Sequence, residues 1–300
     1  MDSVRRFYWV ISIIILGIIG VSCDKFEGDQ TIPSYIHVDT IFLGNNPELA
    51  EGALTHNFTD VWAYIDDDLL GAFELPADIP VLANGEHKLT LYAGIKLNGL
   101  SGTRSPYPFI EPRVYENFNF IIDSTIIKNP TVTYRDNTVF AWMENFEDPS
   151  LGLQPTSNSD TTINRIMYSS SNPPYGLASG AGYLDDSHAI FEIASYDPEA
   201  GGLDLPRYGE YVLMEMEYNS NTQLLVGLFI YEIASGIIQH SIVILKPTDG
   251  KWKKIYVNLT PAVDQYSSAD YYNVYFHAEK QAYDDLEYVY LDNLKVIYRN

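Results

Sequence analysis

The chain has 300 residues, 40 of them acidic against 18 basic, for a formal net charge of −22, and 46% of its residues are hydrophobic. So acidic a surface repels phosphate backbones, which excludes nucleic acid as a partner and keeps the protein body off anionic membranes. A single cysteine, Cys23, excludes an internal disulfide, so stability must come from apolar cores, and the length suggests about two domains.

Arg5 and Arg6 precede an uncharged apolar run over residues 7–20, and the small Ser22 leads into Cys23. That is the order of a secretory leader: basic n-region, short h-region, cleavage site. The run falls short of the roughly 20 residues that span a bilayer. Val21-Ser22-Cys23 resembles a bacterial lipobox, although Gly20 stands where that pattern usually has Leu. The resemblance implies cleavage before Cys23 and a lipid, palmitate-type anchor on its sulfur. Residues 1–22 are then a lipoprotein signal peptide, and residues 23–34 carry the lipidated Cys23 and a solvated tether. The expected location is the outer membrane, at the cell surface or on the periplasmic face.

Residues 35–134 read as short strands. Val61, Ala63 and Ile65 alternate with Trp62 and Tyr64, and Asp66-Asp67-Asp68 supplies a turn before residues 69–75 return. Asn84-Gly85 is a second turn signal, ahead of the alternating Leu89 and Leu91. No stretch of ten residues holds a helical period, which points to an immunoglobulin-like sandwich. The run from Val61 to Pro76, with the Gly85-Glu86-His87 turn that follows, resembles a PEGA-type surface domain. That resemblance bears on fold and implies no activity.

Residues 135–300 hold a second series of strand-like runs. Residues 224–231 are apolar on both faces and read as a central strand. Val212, Met214 and Met216 alternate with Leu213, Glu215 and Glu217, as in a half-solvated one. Eight or nine such runs imply two packed sheets. Residues 149–175, rich in Ser, Asn, Thr and Pro, read as a long loop at one end. The opening Glu144-Asn145-Phe146-Glu147-Asp148, the Gly180-Ala181-Gly182 segment, and the closing Leu291-Asp292-Asn293-Leu294 resemble a galactose-binding-like jelly roll of carbohydrate-binding-module type.

In the last run, apolar positions 289 and 291 keep one parity and 294, 296 and 298 the other. The slip at Asp292-Asn293 predicts a β-bulge that turns Asp292 away from the core. By the jelly-roll resemblance, Glu147 and Asp292 are candidate ligands of a structural calcium ion, a hard cation that prefers oxygen. The alternative reading has Asp292 capping backbone amides. Among 24 tyrosines, Tyr266, Tyr271 and Tyr272 sit in a segment that reads as a loop, and flat aromatic faces suit sugar rings. Thr40, Ser124 and Thr161 each follow an aspartate, in runs resembling a periplasmic O-glycosylation acceptor.

Catalytic motifs are absent: there is no His-Glu-x-x-His, no Gly-x-Ser-x-Gly and no phosphate-binding glycine loop, and the six histidines are scattered. The sequence therefore predicts an all-β chain without enzymatic activity: an immunoglobulin-like sandwich followed by a jelly-roll β-sandwich, after a lipoprotein signal peptide. Its expected role is that of an accessory or scaffold subunit beside an outer-membrane β-barrel protein. Cell-surface carbohydrate binding, with a glycan partner, is the alternative, and a glycan-active hydrolase is the third reading.

Overall fold

The computed structural model describes residues 32–168, 176–196, 201–233, 236–281 and 286–300. The signal peptide and Cys23 lie outside the described residues. The described chain is almost entirely β, as its alternating patterns predict, and its strands enclose two apolar cores.

The first core is closed by ten strands: β1 (Ser34–Val38), β2 (Phe42–Leu43), β3 (Asp60–Ile65), β4 (Asp68–Glu74), β5 (Ala77–Val81), β6 (Gly85–Lys96), β7 (Arg104–Pro106), β8 (Arg113–Phe120), β9 (Thr125–Ile127) and β10 (Thr131–Val132). One sheet runs β4-β3-β6-β7, with β8 also paired to β6, and a second runs β5-β1-β9. Their inward residues, such as Ile36, Ile79, Val61 and Leu91, share one cluster, which makes the unit a sandwich. The β3–β4 turn is the expected aspartate turn. Asp66 and Asp67 both take positive φ (50° and 71°), the conformation that matches strand twist in a two-residue hairpin.

The second core lies between two further sheets. Its strands are β11 (Thr138–Glu144), β12 (Leu153–Pro155), β13 (Asn164–Met167), β14 (Ala178–Leu184), β15 (Ile190–Ser195), β16 (Leu213–Ser220), β17 (Leu224–Glu232), β18 (Gly236–Leu245), β19 (Lys253–Asn258), β20 (Tyr271–Glu279) and β21 (Glu287–Arg299). One sheet is ordered β13-β14-β21-β16-β19, with β11 also on β21, and the other β12-β15-β20-β17-β18. The segment expected as a long loop contributes two strands. β12 pairs with β15, and β13 with β14, because short apolar-polar alternations there find free sheet edges. The described residues include one short helix, α1 (Thr260–Gln265), with Pro261 in its first turn, where its missing N–H costs nothing.

The phase slip on β21 is a bulge. Glu215 faces Lys295 while Glu217 faces Asp292, so β21 spends one residue more than β16, and Asn293 takes φ 47°. Asp292 does point away from the second core, yet it is fully buried. The half-solvated reading of β16 is corrected for a related reason. Every residue of that strand is buried, because the first sandwich covers Leu213 and Glu215 while Thr248 and Gly250 of the second unit cover Asn219. Leu213, Tyr256 and Ile297 of the second unit pack into the first core.

Charges sit inside this junction. Lys254 Nζ donates to Glu215 Oε2 at 2.5 Å and to Thr55 Oγ1 at 2.9 Å, while the hydroxyls of Tyr134 (2.6 Å) and Tyr107 donate to Glu215 Oε1. Lys295 Nζ donates to the carbonyl of Ala53 at 2.8 Å. Burial by itself would push the Glu215 carboxyl up, but the charges of Lys254 and Lys295, with the hydrogen bonds of Lys254 and Tyr107, hold it down to about 2.

Candidate ligand-binding groove

The β12-β15-β20-β17-β18 sheet has one face in the core and one outside it. Alternation sends Val274 and Phe276 of β20 inward and leaves Tyr271, Asn273, Tyr275 and His277 outward; on β17 it leaves Gly227, Phe229 and Tyr231 outward. Residues 154–158 and Tyr196 wall one side of this outer face, and Ile237 and Gln239 of β18 wall the other. Between them is a groove of about 480 Å³.

Its floor is aromatic. Phe229 and Tyr231 line it, with Phe229 backed by the fully buried Tyr275 at 4.6 Å between ring centroids and Tyr231 stacked on Tyr271 at 4.3 Å and 22°. An added Cβ at Gly227 would run into the His240 carbonyl oxygen and come within 2.5 Å of the Tyr275 ring, so only glycine lets both approach the strand this closely. Beside the rings is a polar hub. Glu192, 2% exposed, accepts from Thr156 Oγ1 (2.5 Å), Gln239 Nε2 (2.9 Å) and Asn158 Nδ2 (3.3 Å), and lies 3.1 Å from His277 Nδ1. Burial opposes its charge, but these donors and His277 outweigh it and hold the carboxyl below its ordinary value. Glu192 is therefore an ionised acceptor with its oxygens already engaged. It is also the one carboxylate among the described lining residues.

Asn273 is 7% exposed, its Nδ2 donates to Gly201 O at 3.4 Å, and its buried Oδ1 has no partner among the described residues. An unpaired buried carbonyl costs about 1–3 kcal/mol, which a hydroxyl donor entering the groove would return.

The three tyrosines expected in a loop are placed differently. Tyr271 and Tyr272 open β20, and Tyr266 caps α1. Tyr271 is half-buried on the outer face against Tyr231. Tyr272 is corrected to a core residue: it is fully buried, and its hydroxyl donates to the carbonyl of Tyr266 at 2.7 Å, so alternation denies it to any ligand. Tyr266 packs against the second core, edge-on to His240. Thr40, Ser124 and Thr161 are half-buried positions on three separate connections. The groove residues Glu192, Asn273, Gln239 and Phe229 were not singled out by the sequence reading. Their signal was the second apolar face of β17, which serves the groove rather than a second core.

Glu147 and Asp292 do not make a calcium shell as they stand. Glu147 Oε1 accepts the amides of Leu177 (2.7 Å) and Ala178 (3.3 Å), and Asp292 Oδ1 accepts that of Asn293 (2.8 Å). The carbonyls of Phe146 and Glu147 already face a cation, the Arg165 guanidinium, at 2.5 and 2.9 Å. Among the described residues no three acidic, histidine or cysteine side chains converge on one point, whereas calcium takes six to eight oxygens.

No protein-family profile and no curated protein matches this chain. Among solved structures, it is similar to the C-terminal family 22 carbohydrate-binding module of Clostridium thermocellum Xyn10B, with 13% identity over 54% of this chain and 95% of that one and a TM-score of 0.36. A structure described in terms of the promiscuous specificity of carbohydrate-binding modules from the β-sandwich superfamily is 12% identical over 90% of this chain and 99% of that one, with a TM-score of 0.38. The K3 cleaved adhesin domain of Lys-gingipain from Porphyromonas gingivalis is 12% identical over 53% of this chain and 98% of that one, with a TM-score of 0.36. At these TM-scores none of them extends a ligand or an activity to this chain.

Proposed function

We propose that the protein is a non-catalytic glycan-binding lipoprotein, anchored at the outer membrane through Cys23, with the groove over β15, β17, β18 and β20 as its saccharide site. The observation that carries this reading is the aromatic lining of Phe229 and Tyr231 beside Asn273, whose buried Oδ1 has no partner among the described residues. A sugar supplies both partners, a hydroxyl to donate and apolar C–H faces to lie on rings. Binding is favoured over hydrolysis because glycosidases flank the bond with two carboxyl groups, one of raised pKa, whereas among the described residues the groove lining presents one carboxylate, Glu192, held ionised. The anchor is supported by the leader-like order of residues 5–22 and the lone cysteine that ends it.

Calorimetric titration with neutral β-linked hexasaccharides tests the groove. Saturable binding is expected, with Tyr231→Ala and Asn273→Ala each weakening it about tenfold or more. Absence of saturable binding across such a panel overturns the reading. The accessory-subunit role keeps one supporting observation. Leu82, Ile121 and Ile122 are exposed at the end of the first sandwich where the chain enters from the tether, close to Pro33, whose carbonyl accepts the amide of Asp123 at 3.1 Å. Co-purification of a stoichiometric membrane partner that is lost on Ile121→Glu would favour that role.

A further inference from the structure

A second cleft, of about 640 Å³, opens between the two sandwiches and shares no residue with the groove. The first unit lends it His56, Asn57 and Lys96; the second lends it Trp252, Lys253 and Glu217. Backbone and side-chain bonds tie its walls together. Tyr256 OH accepts the Asn57 amide at 2.9 Å, and the Tyr256 carbonyl accepts the Asn98 amide at 2.8 Å.

Three properties of this cleft are unlike the surface around it. The first is charge. In a chain with 40 acids and 18 Lys and Arg, the lining holds Lys96, Lys253 and Lys254 against one acid, Glu217. Lys254 is spent on Glu215 and Lys96 is bonded to Glu74 at 3.0 Å, but Lys253 is exposed and has no ion pair among the described residues. The opposing acid is muted, because burial pushes the Glu217 carboxyl up despite the charge of Lys254. The second property is a braced aromatic wall. Trp252 is half-buried, with Tyr290 stacked beside it at 6.4 Å and 27°, and Tyr168 edge-on at 6.3 Å. The third is an unpartnered polar atom. His56 stacks on Phe58 at 4.7 Å, and its buried Nδ1 has no hydrogen-bond partner among the described residues.

We propose that this cleft binds a uronic-acid-containing saccharide, whose ring lies against Trp252 while its carboxylate meets Lys253 and its hydroxyls meet His56 and Asn57. A neutral sugar uses the ring but leaves Lys253 without a counter-charge. A small inorganic anion uses the lysine but leaves the tryptophan wall empty. A charged sugar matches both, and an anionic ligand is drawn to the cationic lining of an otherwise acidic surface. The site stands independently of the groove.

Calorimetry on the full chain with hexagalacturonate, and with cellohexaose as the neutral control, tests it. Hexagalacturonate is expected to bind saturably, with an affinity that falls severalfold when NaCl rises from about 50 to about 300 mM. Lys253→Glu, an exposed position that leaves the fold intact, and Trp252→Ala are each expected to weaken it about tenfold or more. Tyr231→Ala, on the groove floor, leaves it unchanged, so failure of one site is distinguishable from failure of the other. The proposal is overturned by absence of saturable heat with hexagalacturonate, by binding indifferent to both substitutions in the cleft, or by equal binding of cellohexaose that Trp252→Ala abolishes.

Discussion

Asp292 is fully buried, its Oδ2 has no partner among the described residues, and its carboxyl is pushed up to about 8, chiefly by burial and then by the charges of Glu217, Glu147 and Glu144. The folded value lies above the ordinary 3.8, so the native state holds this proton more tightly than the unfolded chain. The stability it contributes is complete below about pH 4 and is lost as pH rises through about 8. Asp292→Asn keeps the neutral form at every pH. The variant is expected to match the parent near pH 3.5 and exceed it near pH 8, by an amount on the order of 5 kcal/mol, in scanning calorimetry at both values. Calcium gives an independent reading of the same residue. With Arg165 already on the neighbouring carbonyls, melting curves with calcium and with chelator are expected to superimpose. A calcium-dependent rise abolished by Asp292→Asn would restore the metal.

At the level of elements, β16 shows how a strand's second face changes meaning with what covers it. Its outward Glu215 sits among Lys254, Lys295, Tyr107 and Tyr134, all buried. Removing one member of a buried charge cluster strands the others, which is why Glu215→Ala is expected to cost about 3–5 kcal/mol in denaturant unfolding. Replacing Glu215, Lys254 and Lys295 together with apolar residues of similar size is expected to recover most of that loss, since no charge is then left unpaired. The Glu215 carboxyl is held down to about 2, so its stabilisation is present above about pH 4.5 and disappears as pH falls through about 2. The β17–β20 pair makes the matching point on the other sheet. There the outward face is not covered by protein, and its rings and amides line the groove.

For the whole molecule, the two cores are separate, but the sheet that backs the second core is also part of the wall of the first. A fragment from Thr133 to Asn300 retains both sheets of the second sandwich, yet it uncovers Leu213, Tyr256 and Ile297 together with the buried charges beside them. It is expected to fold, to melt below the full chain, and to self-associate through the uncovered face, as read by calorimetry and sedimentation. A fragment that melts with the full chain and stays monomeric would show that the junction contributes nothing to stability.

Several features followed from local chemistry and so were legible in the sequence. Period-two alternation marks strands whatever they pack against, two successive aspartates tolerate the positive φ of the β3–β4 turn, and a parity slip at Asp292-Asn293 has few geometric solutions other than a bulge. Alternation says which residues share a face, but not what that face meets. Glu215 and Glu217 alternate like solvated residues and lie under another sandwich, Tyr272 sits in a polar, loop-like segment and fills the core, and Phe229 and Tyr231 resemble core and floor a groove. Those assignments depend on contacts between strands far apart in the chain, such as Tyr107 with Glu215 or Asn57 with Tyr256, and only the folded arrangement brings them together.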